Sequence, residues 1–385
     1  MMNINQKLKY LKSKSLFRKF RTIKGACSNV VNFGNKEYIM LASNNYFGLN
    51  THPKVIAAAK DALEKYGSGN GASRLIVNLD LHTKLEKEIA EYKKCRSALL
   101  YSSGFAANLG IIGSLAGRDG VILSDELNHA SIIDGCRLSK AKVLVYKHCD
   151  VLDLESKLSK LNKKNILVVT DSVFSMGGDL APLDDIINLK KKYPFMLMAD
   201  DAHATGVIDT NLKGIDIHMG TLSKALASQG GFVAASEQII DYLRNTSRPF
   251  MYSTGLSPAN AASALLALKI IRKDKGLRKR LLGNADYMRQ GLLNLGFNAG
   301  GELQIIPIII GDNKKAMRLQ KMLEEEGIFV AGIRPPTVPK AMLRISVMAT
   351  HTREQMDKAL EAFGKAGAKL GMVKKTLKKS IFSQN

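Results

Sequence analysis

At 385 residues the chain is too long for one small core, and a composition 45% apolar and 24% charged is that of a globular protein, not a disordered one. No run of about 18 apolar residues offers a membrane span, and the Lys-rich start lacks the apolar segment and small-residue cleavage site of a secretory leader. The formal charge of +23 is high, but the lysines run from end to end with no aromatic-interleaved basic stripe, and tryptophan is absent, which argues against dedicated nucleic-acid binding.

Residues 1–45 read as a basic, weakly patterned arm that includes a short strand, Tyr38-Ile39-Met40-Leu41. The turn-rich loop from Ser43 to Leu49 follows, then a helix opening at Pro53 and running through Lys65. Gly67 to Arg74 is a second loop, and Asp80 is placed to cap a helix reaching Tyr92. From there the rhythm is strand, loop, helix. Buried strands are expected at Ala98–Tyr101, Val121–Leu123, Val143–Tyr146, Ile166–Thr170 and Phe195–Ala199. Helices are expected at Ala106–Leu115, His129–Leu138, Leu152–Leu161 and Leu183–Tyr193. This alternation predicts an α/β architecture with a mostly parallel central sheet covered by helices.

Two short strands, Ile217–Gly220 and Gly231–Ala235, bracket Lys224, and an Ala/Leu-rich helix spans Pro258–Lys273. The remainder reads as a smaller α+β unit: strand Gln304–Ile310, helix Lys314–Glu326, strands Ile328–Ala331 and Leu343–Met348, helix Arg353–Phe363. The expected division is an arm over 1–45, a large α/β domain over 46–275 and a small domain over 276–385. Lysine clusters stand at Lys163-Lys164, Lys190–Lys192 and Lys374–Lys379, and the tail after Leu370 is expected to fray. Cys27, Cys95, Cys136 and Cys149 show no metal-ligand pairing, so reduced thiols and a cytoplasmic setting are expected.

Ligands gather at the C-terminal ends of strands in an open parallel sheet. Ser103-Gly104-Phe105 follows one strand and opens a helix, which makes a seat for an anion such as a phosphate. His129 follows a second strand, Ser175 a third, and Asp200 to His203 a fourth. A carboxylate at the end of a buried strand needs a partner. Lys224 is flanked by Thr221, Ser223 and Gly230-Gly231, where backbone can approach a phosphate closely. An amine, a buried carboxylate, an imidazole and a phosphate cradle together suit pyridoxal phosphate. Lys224 would hold its aldehyde as a Schiff base, Asp200 would pair with the ring nitrogen, and His129 would stack on the ring. Arg344 lies inside an apolar strand and is expected to meet an anion: a substrate carboxylate, or a structural salt-bridge partner.

These pieces resemble the α-oxoamine synthases, a group of fold-type I pyridoxal-phosphate enzymes. The likeness is carried by Asn44-Asn45-Tyr46-Phe47-Gly48-Leu49, Ser103–Asn108, Asn128–Ser131, Val173–Asp179, Asp200–His203, Thr221–Lys224 and Tyr252–Thr254. The resemblance implies a fold-type I architecture and a homodimer with shared active sites. It puts Lys224, Asp200 and His129 at the catalytic centre, with Gly104, Phe105, Ser175, His203, Thr221 and Thr254 also on the cofactor. Asn45, Arg18, Thr337 and Arg344 would contact substrate, with Arg21 competing for the place of Arg18. The stretch from Gly332 to Pro339 and Met348-Ala349-Thr350-His351-Thr352 implies decarboxylative condensation of L-alanine with a pimeloyl thioester on coenzyme A or acyl carrier protein. Glycine with acetyl-CoA is the nearest alternative, and a non-catalytic partner subunit or nucleic-acid binder a remoter one. The positive charge would help recruit an acidic carrier. The chain departs from the family pattern at Ala204 and Ala227, where glycine is usual.

Overall fold

The computed structural model describes residues 3–13, 16–18, 20–162 and 165–373, so Lys163-Lys164 and Lys374–Lys379 lie outside the described residues. A solvent-facing helix α1 (Ile4–Ser13) precedes a hairpin, β1 (Val30–Phe33) and β2 (Lys36–Met40). Helices α2 (Pro53–Tyr66) and α3 (Asp80–Tyr92) come next. Pro53 stands in the first turn of α2, where its missing N–H costs nothing. Asp80 does not cap α3: Leu79 holds that position without a side-chain bond, and the Asp80 carboxylate instead pairs with Lys84, 2.6 Å away.

The alternating segment then runs β3 (Ser97–Tyr101), α4 (Gly104–Leu115), β4 (Val121–Asp125), α5 (Ala130–Ser139), β5 (Lys142–Tyr146) and α6 (Val151–Leu158). It continues β6 (Ile166–Asp171), α7 (Leu183–Leu189), β7 (Met196–Asp200), β8 (Ile217–Thr221) and β9 (Gly231–Ala235). These strands form one sheet in the order β3-β9-β8-β7-β6-β4-β5. β9 alone runs opposite to the other strands of this sheet. Strands β4, β6, β8 and β9 are buried at every residue, as a sheet covered on both faces requires. Helices α6 and α7 end at Leu158 and Leu189, short of Leu161 and Tyr193. Of the lysine cluster after α7, Lys190 meets Asp216 at 2.5 Å and Lys192 meets Glu155 at 3.1 Å.

Helices α8 (Glu237–Thr246), α9 (Arg248–Met251), α10 (Pro258–Lys273) and α11 (Lys275–Asn294) lead out of the sheet. Helices α8, α9 and α11 are not among the elements expected from sequence. For α11 the signal was present: Asp274 caps it, and Leu277, Leu281, Ala285, Met288 and Leu292 are buried at helical spacing. Burying each of the larger of these side chains is worth roughly 1.5–3 kcal/mol, enough to hold a helix whose other face is dense with Lys and Arg.

The smaller C-terminal domain holds β10 (Ile305–Gly311), α12 (Asn313–Glu325), β11 (Ile328–Phe329), β12 (Ala331–Ile333), β13 (Ala341–Ser346) and α13 (Arg353–Lys369). Its antiparallel sheet has the order β10-β13-β12, and α13 starts with a full capping box between Thr352 and Gln355. The single strand expected over Ile328–Ala331 is two. β11 pairs parallel with β2, whereas β12 pairs antiparallel with β13, so the chain changes sheets at Val330. Ile39 and Leu41 thereby pack in the same core as Leu343, Ile345 and Phe363. No helix among the described residues is long and apolar enough to cross a membrane.

Candidate active site

A cavity of about 220 Å³ opens at the C-terminal ends of β6, β7 and β8. Gly104, Phe105, His129, Asp200, His203, Thr221 and Lys224 all line it, although the sequence scatters them over more than a hundred positions. One wall is the start of α4. Ser103 accepts the Ala106 N–H at its hydroxyl, 3.0 Å away, while the first turn's remaining N–H groups have no intrahelical acceptor. The helix end presents those donors and the positive pole of its dipole. No Cβ fits at Gly231: one would stand 2.6 Å from the Ser103 carbonyl and 2.7 Å from Gly104, so this glycine lets β9 pass directly behind the anion seat. Thr221 donates its hydroxyl to the Gly230 carbonyl at 3.0 Å and lies 2.8 Å from the Ser223 hydroxyl.

The electrostatics are those of charges held out of water. Burial lowers the Lys224 ammonium pKa to about 8, against the pull of Asp200 and Asp171. Burial raises the Asp200 carboxyl despite its bonds from Asn108 and Ala202, and lowers the His129 and His203 imidazoles. Asp201, the next residue, packs in a separate buried network. Lys93 stands 2.7 Å from its carboxylate, with His218 at 2.8 Å and the Ser172 hydroxyl at 2.5 Å. Burial alone would raise its pKa, but Lys93 and His218 outweigh that and hold the carboxyl well below the usual range.

Three polar cavity residues were given no site role from sequence: Asn108, Ser131 and Asp171. Asn108 donates to Asp200 and to Ser131, 2.8 Å each. Asp171 is the register partner of Asp200 on the neighbouring strand, and its carboxylate accepts the His129 backbone N–H at 2.8 Å. Burial and the Asp200 charge drive its pKa well upward. The Tyr46 hydroxyl meets His203 Nδ1. The available signal for Asp171 was an acidic residue ending an apolar strand, as at Asp200; Asn108 lies mid-helix and offered none.

The other expected residues lie outside this cavity. Arg344, buried on β13, donates to the Ser175 carbonyl, to Ser346 at 2.8 Å and to Asn44 at 3.1 Å. It has no carboxylate partner among the described residues, so the structural salt bridge is not there, and the guanidinium keeps an uncompensated charge. Ser175 meets Arg344 through its backbone carbonyl. Its loop is pinned by His148, which bonds Asp125 at 3.0 Å and Asp179 at 2.5 Å; both ring nitrogens are thus engaged, although Asp125, His148 and Cys149 together have the donors for a metal ion. Asn45 lines an adjoining chamber of about 370 Å³ that shares Lys224. Arg18 and Thr337 face each other at 3.3 Å across a third pocket. Arg21, the competing position, is committed to Glu324. Thr254 bridges to Ser73 in a crevice with Arg74 and Phe250.

Ala227 borders the Asn45 chamber with a left-handed φ of +52°. That region costs a residue with a Cβ roughly 1–2 kcal/mol, and the extra chain freedom of glycine returns about 0.4–1 kcal/mol of it. Ala227→Gly is expected to stabilise the fold by up to about 1 kcal/mol, seen as a higher melting temperature. A lower one would show that the strain is relieved elsewhere.

A family model described as aminotransferase class I and II matches residues 36–363, and the chain belongs to that family. Among its relatives, the 8-amino-7-oxononanoate synthase of Geotalea daltonii is 44% identical, with 97% of this chain and 99% of that protein covered. That of Thermoanaerobacter pseudethanolicus is 43% identical, covering 96% and 98%. Among solved structures, a serine palmitoyltransferase of S. paucimobilis with bound PLP superposes with a TM-score of 0.89 at 31% identity, covering 96% of this chain and 98% of that one. An 8-amino-7-oxononanoate synthase from Francisella tularensis gives 0.75 at 30% identity, covering 86% and 98%.

Proposed function

We propose that the chain is a pyridoxal-phosphate enzyme condensing L-alanine with a pimeloyl thioester to give 8-amino-7-oxononanoate, carbon dioxide and the free thiol. The observation that carries this is Lys224: an amine with its pKa near 8, in a cavity it shares with a buried carboxylate, an imidazole and a helix N-terminus. The group fits the donor set and the cavity of about 220 Å³ that these residues line. Pyridoxal phosphate supplies, when bound, an electron sink that stabilises negative charge on the amino acid's α-carbon.

The protein supplies the rest. Backbone N–H groups at the start of α4, with Thr221, would hold the phosphate. Asp200 would offer its carboxylate to the ring nitrogen and hold a proton there, and His129 would pack against the ring. Arg344 gives fixed positive charge for the substrate carboxylate, and its neutral partners leave that charge available. Lys224 Nζ, unprotonated near pH 8, takes the α-proton. The new carbon–carbon bond forms at the thioester carbonyl, the thiol leaves, and the original carboxylate departs as carbon dioxide. Arg18 and Thr337 receive the acyl donor, with Asn45 beside Lys224. The chain acts as a homodimer, Thr254 turned toward its partner's site. The choice of L-alanine and a pimeloyl donor over glycine and acetyl-CoA rests on the likeness to named 8-amino-7-oxononanoate synthases over nearly the full chain.

The test is turnover of matched pairs, read as thiol release. L-alanine with pimeloyl-CoA is expected to exceed glycine with acetyl-CoA by about 100-fold or more in kcat/KM, the discrimination a pocket built for one chain length achieves. The reverse order would transfer the chain to the acetyl-transferring branch.

A further inference from the structure

A chain of hydrogen bonds crosses the site, and its direction can be assigned at every link. Asp200 accepts at both oxygens: Oδ1 from the Ala202 N–H at 2.9 Å, Oδ2 from Asn108 at 2.8 Å. An ionised carboxylate only accepts, so it is the nitrogen of the Asn108 amide that faces it. The second hydrogen on that nitrogen goes to the Ser131 hydroxyl, also at 2.8 Å. Asn108 is 1% exposed, and its Oδ1 has no partner among the described residues, so nothing favours the flipped amide.

Ser131, already accepting from Asn108, has its own hydroxyl hydrogen left for His129 Nδ1, 2.7 Å away. The backbone N–H of Ser131 points at the same nitrogen from 3.3 Å, because His129 is the N-cap of α5. A ring nitrogen facing two donors carries no hydrogen of its own. Burial keeps the ring neutral against the pull of Asp200, so its single hydrogen sits on Nε2.

We propose that Asn108 and Ser131 are positioning residues that lock His129 as the Nε2–H tautomer and tie that choice to the orientation of Asp200. His129 then donates at Nε2, and its one lone pair, on Nδ1, is taken up by Ser131. Within the functional reading above, on which this consequence rests, the α-proton falls to Lys224 and His129 serves as a donor. One amide holds both Asp200 and the ring's partner Ser131, so a change at Asp200 is transmitted to the imidazole.

The experiment is long-range proton–nitrogen NMR of the full chain labelled with ¹⁵N-histidine, recorded with and without added pyridoxal phosphate, His129→Asn assigning the signals. In the wild type Nδ1 should resonate as the unprotonated nitrogen and Nε2 as the protonated one. Ser131→Ala should lower the Nε2–H to Nδ1–H ratio about five-fold, as loss of one ordinary hydrogen bond does. Asn108→Ala should lower it without touching the ring, and Ser131→Thr, which keeps the hydroxyl, should leave it unchanged. A hydrogen on Nδ1 in the wild type overturns the proposal. So does a ratio indifferent to both alanine variants. A protein that takes up no pyridoxal phosphate would sink the functional reading instead, with the tautomer still legible in the cofactor-free spectrum.

Discussion

Lys224→Ala is expected to reduce turnover by at least about 10⁴-fold, the upper end of what a positioned acid–base group contributes, while leaving the fold intact. The second half of that expectation follows from energetics. The folded protein holds the Lys224 pKa at about 8, below its ordinary value, so the folded state disfavours the charged amine relative to the unfolded chain. Its contribution to stability is therefore unfavourable at neutral pH and fades as pH rises through that value toward the ordinary lysine range. Removing the amine removes the cost. The same shift predicts how the cofactor-free protein behaves: its rate of pyridoxal-phosphate uptake should climb with pH through about 8, where the free amine appears, and Lys224→Ala should lose that dependence. Absorbance of the bound cofactor after dialysis reads both. A variant that retains the chromophore and more than a hundredth of the activity would falsify the assignment of the lysine.

Asp200→Asn should separate stability from activity in the opposite direction to most core substitutions. Two carboxyls, Asp200 and Asp171, are register neighbours on adjacent strands, both buried, and burial raises both pKa values. A carboxyl whose folded pKa is raised stabilises below its unfolded pKa, and that stability is lost as pH climbs through the folded one. Where these carboxyls ionise, the cofactor-free protein thus carries an unfavourable buried charge. The amide in Asp200→Asn keeps one oxygen for Asn108 and removes the charge; its NH2 then faces the Ala202 N–H, a lost bond smaller than the relieved charge. The melting temperature of the cofactor-free protein should therefore rise by about one degree, the scale of about 1 kcal/mol in a chain this size. Turnover should fall about 10³-fold or more, because no carboxylate remains to hold a proton on the cofactor ring. A variant both less stable and fully active would mean that Asp200 serves packing alone. The site is a place where the fold carries an electrostatic cost that a bound cation-bearing ring relieves.

Much of this was legible before the structure. The strands of the large sheet announce themselves as short apolar runs because both faces are covered, and Lys224 and Asp200 stand out because a polar group at the end of such a run needs a reason. What the sequence hides is adjacency. Asp171 ends β6 as Asp200 ends β7, yet their coupling exists only because those two strands pair in register. Asn108 sits mid-helix among alanines and isoleucines, and only the packing of α4 on α5 turns it toward Asp200 and Ser131. The division of Ile328–Ala331 between two sheets could not be read from an unbroken apolar run, since nothing local distinguishes the partners on either side of Val330. Helix α11 is a different case: its buried stripe was there, masked by the basic residues between.

The pairing of β2 with β11 bears on how the polypeptide is born. Ile39 finds its partner at Ile328, so at typical synthesis rates of about 5–20 residues per second β2 waits roughly 15–60 s on the ribosome for the last domain to emerge. During that interval the hairpin with β1 covers one edge, while Ile39, Leu41 and the other edge stay bare. The nascent chain must carry a sticky, half-finished strand through almost its entire synthesis, and its two ends are sewn together last, in a contact of very high sequence separation.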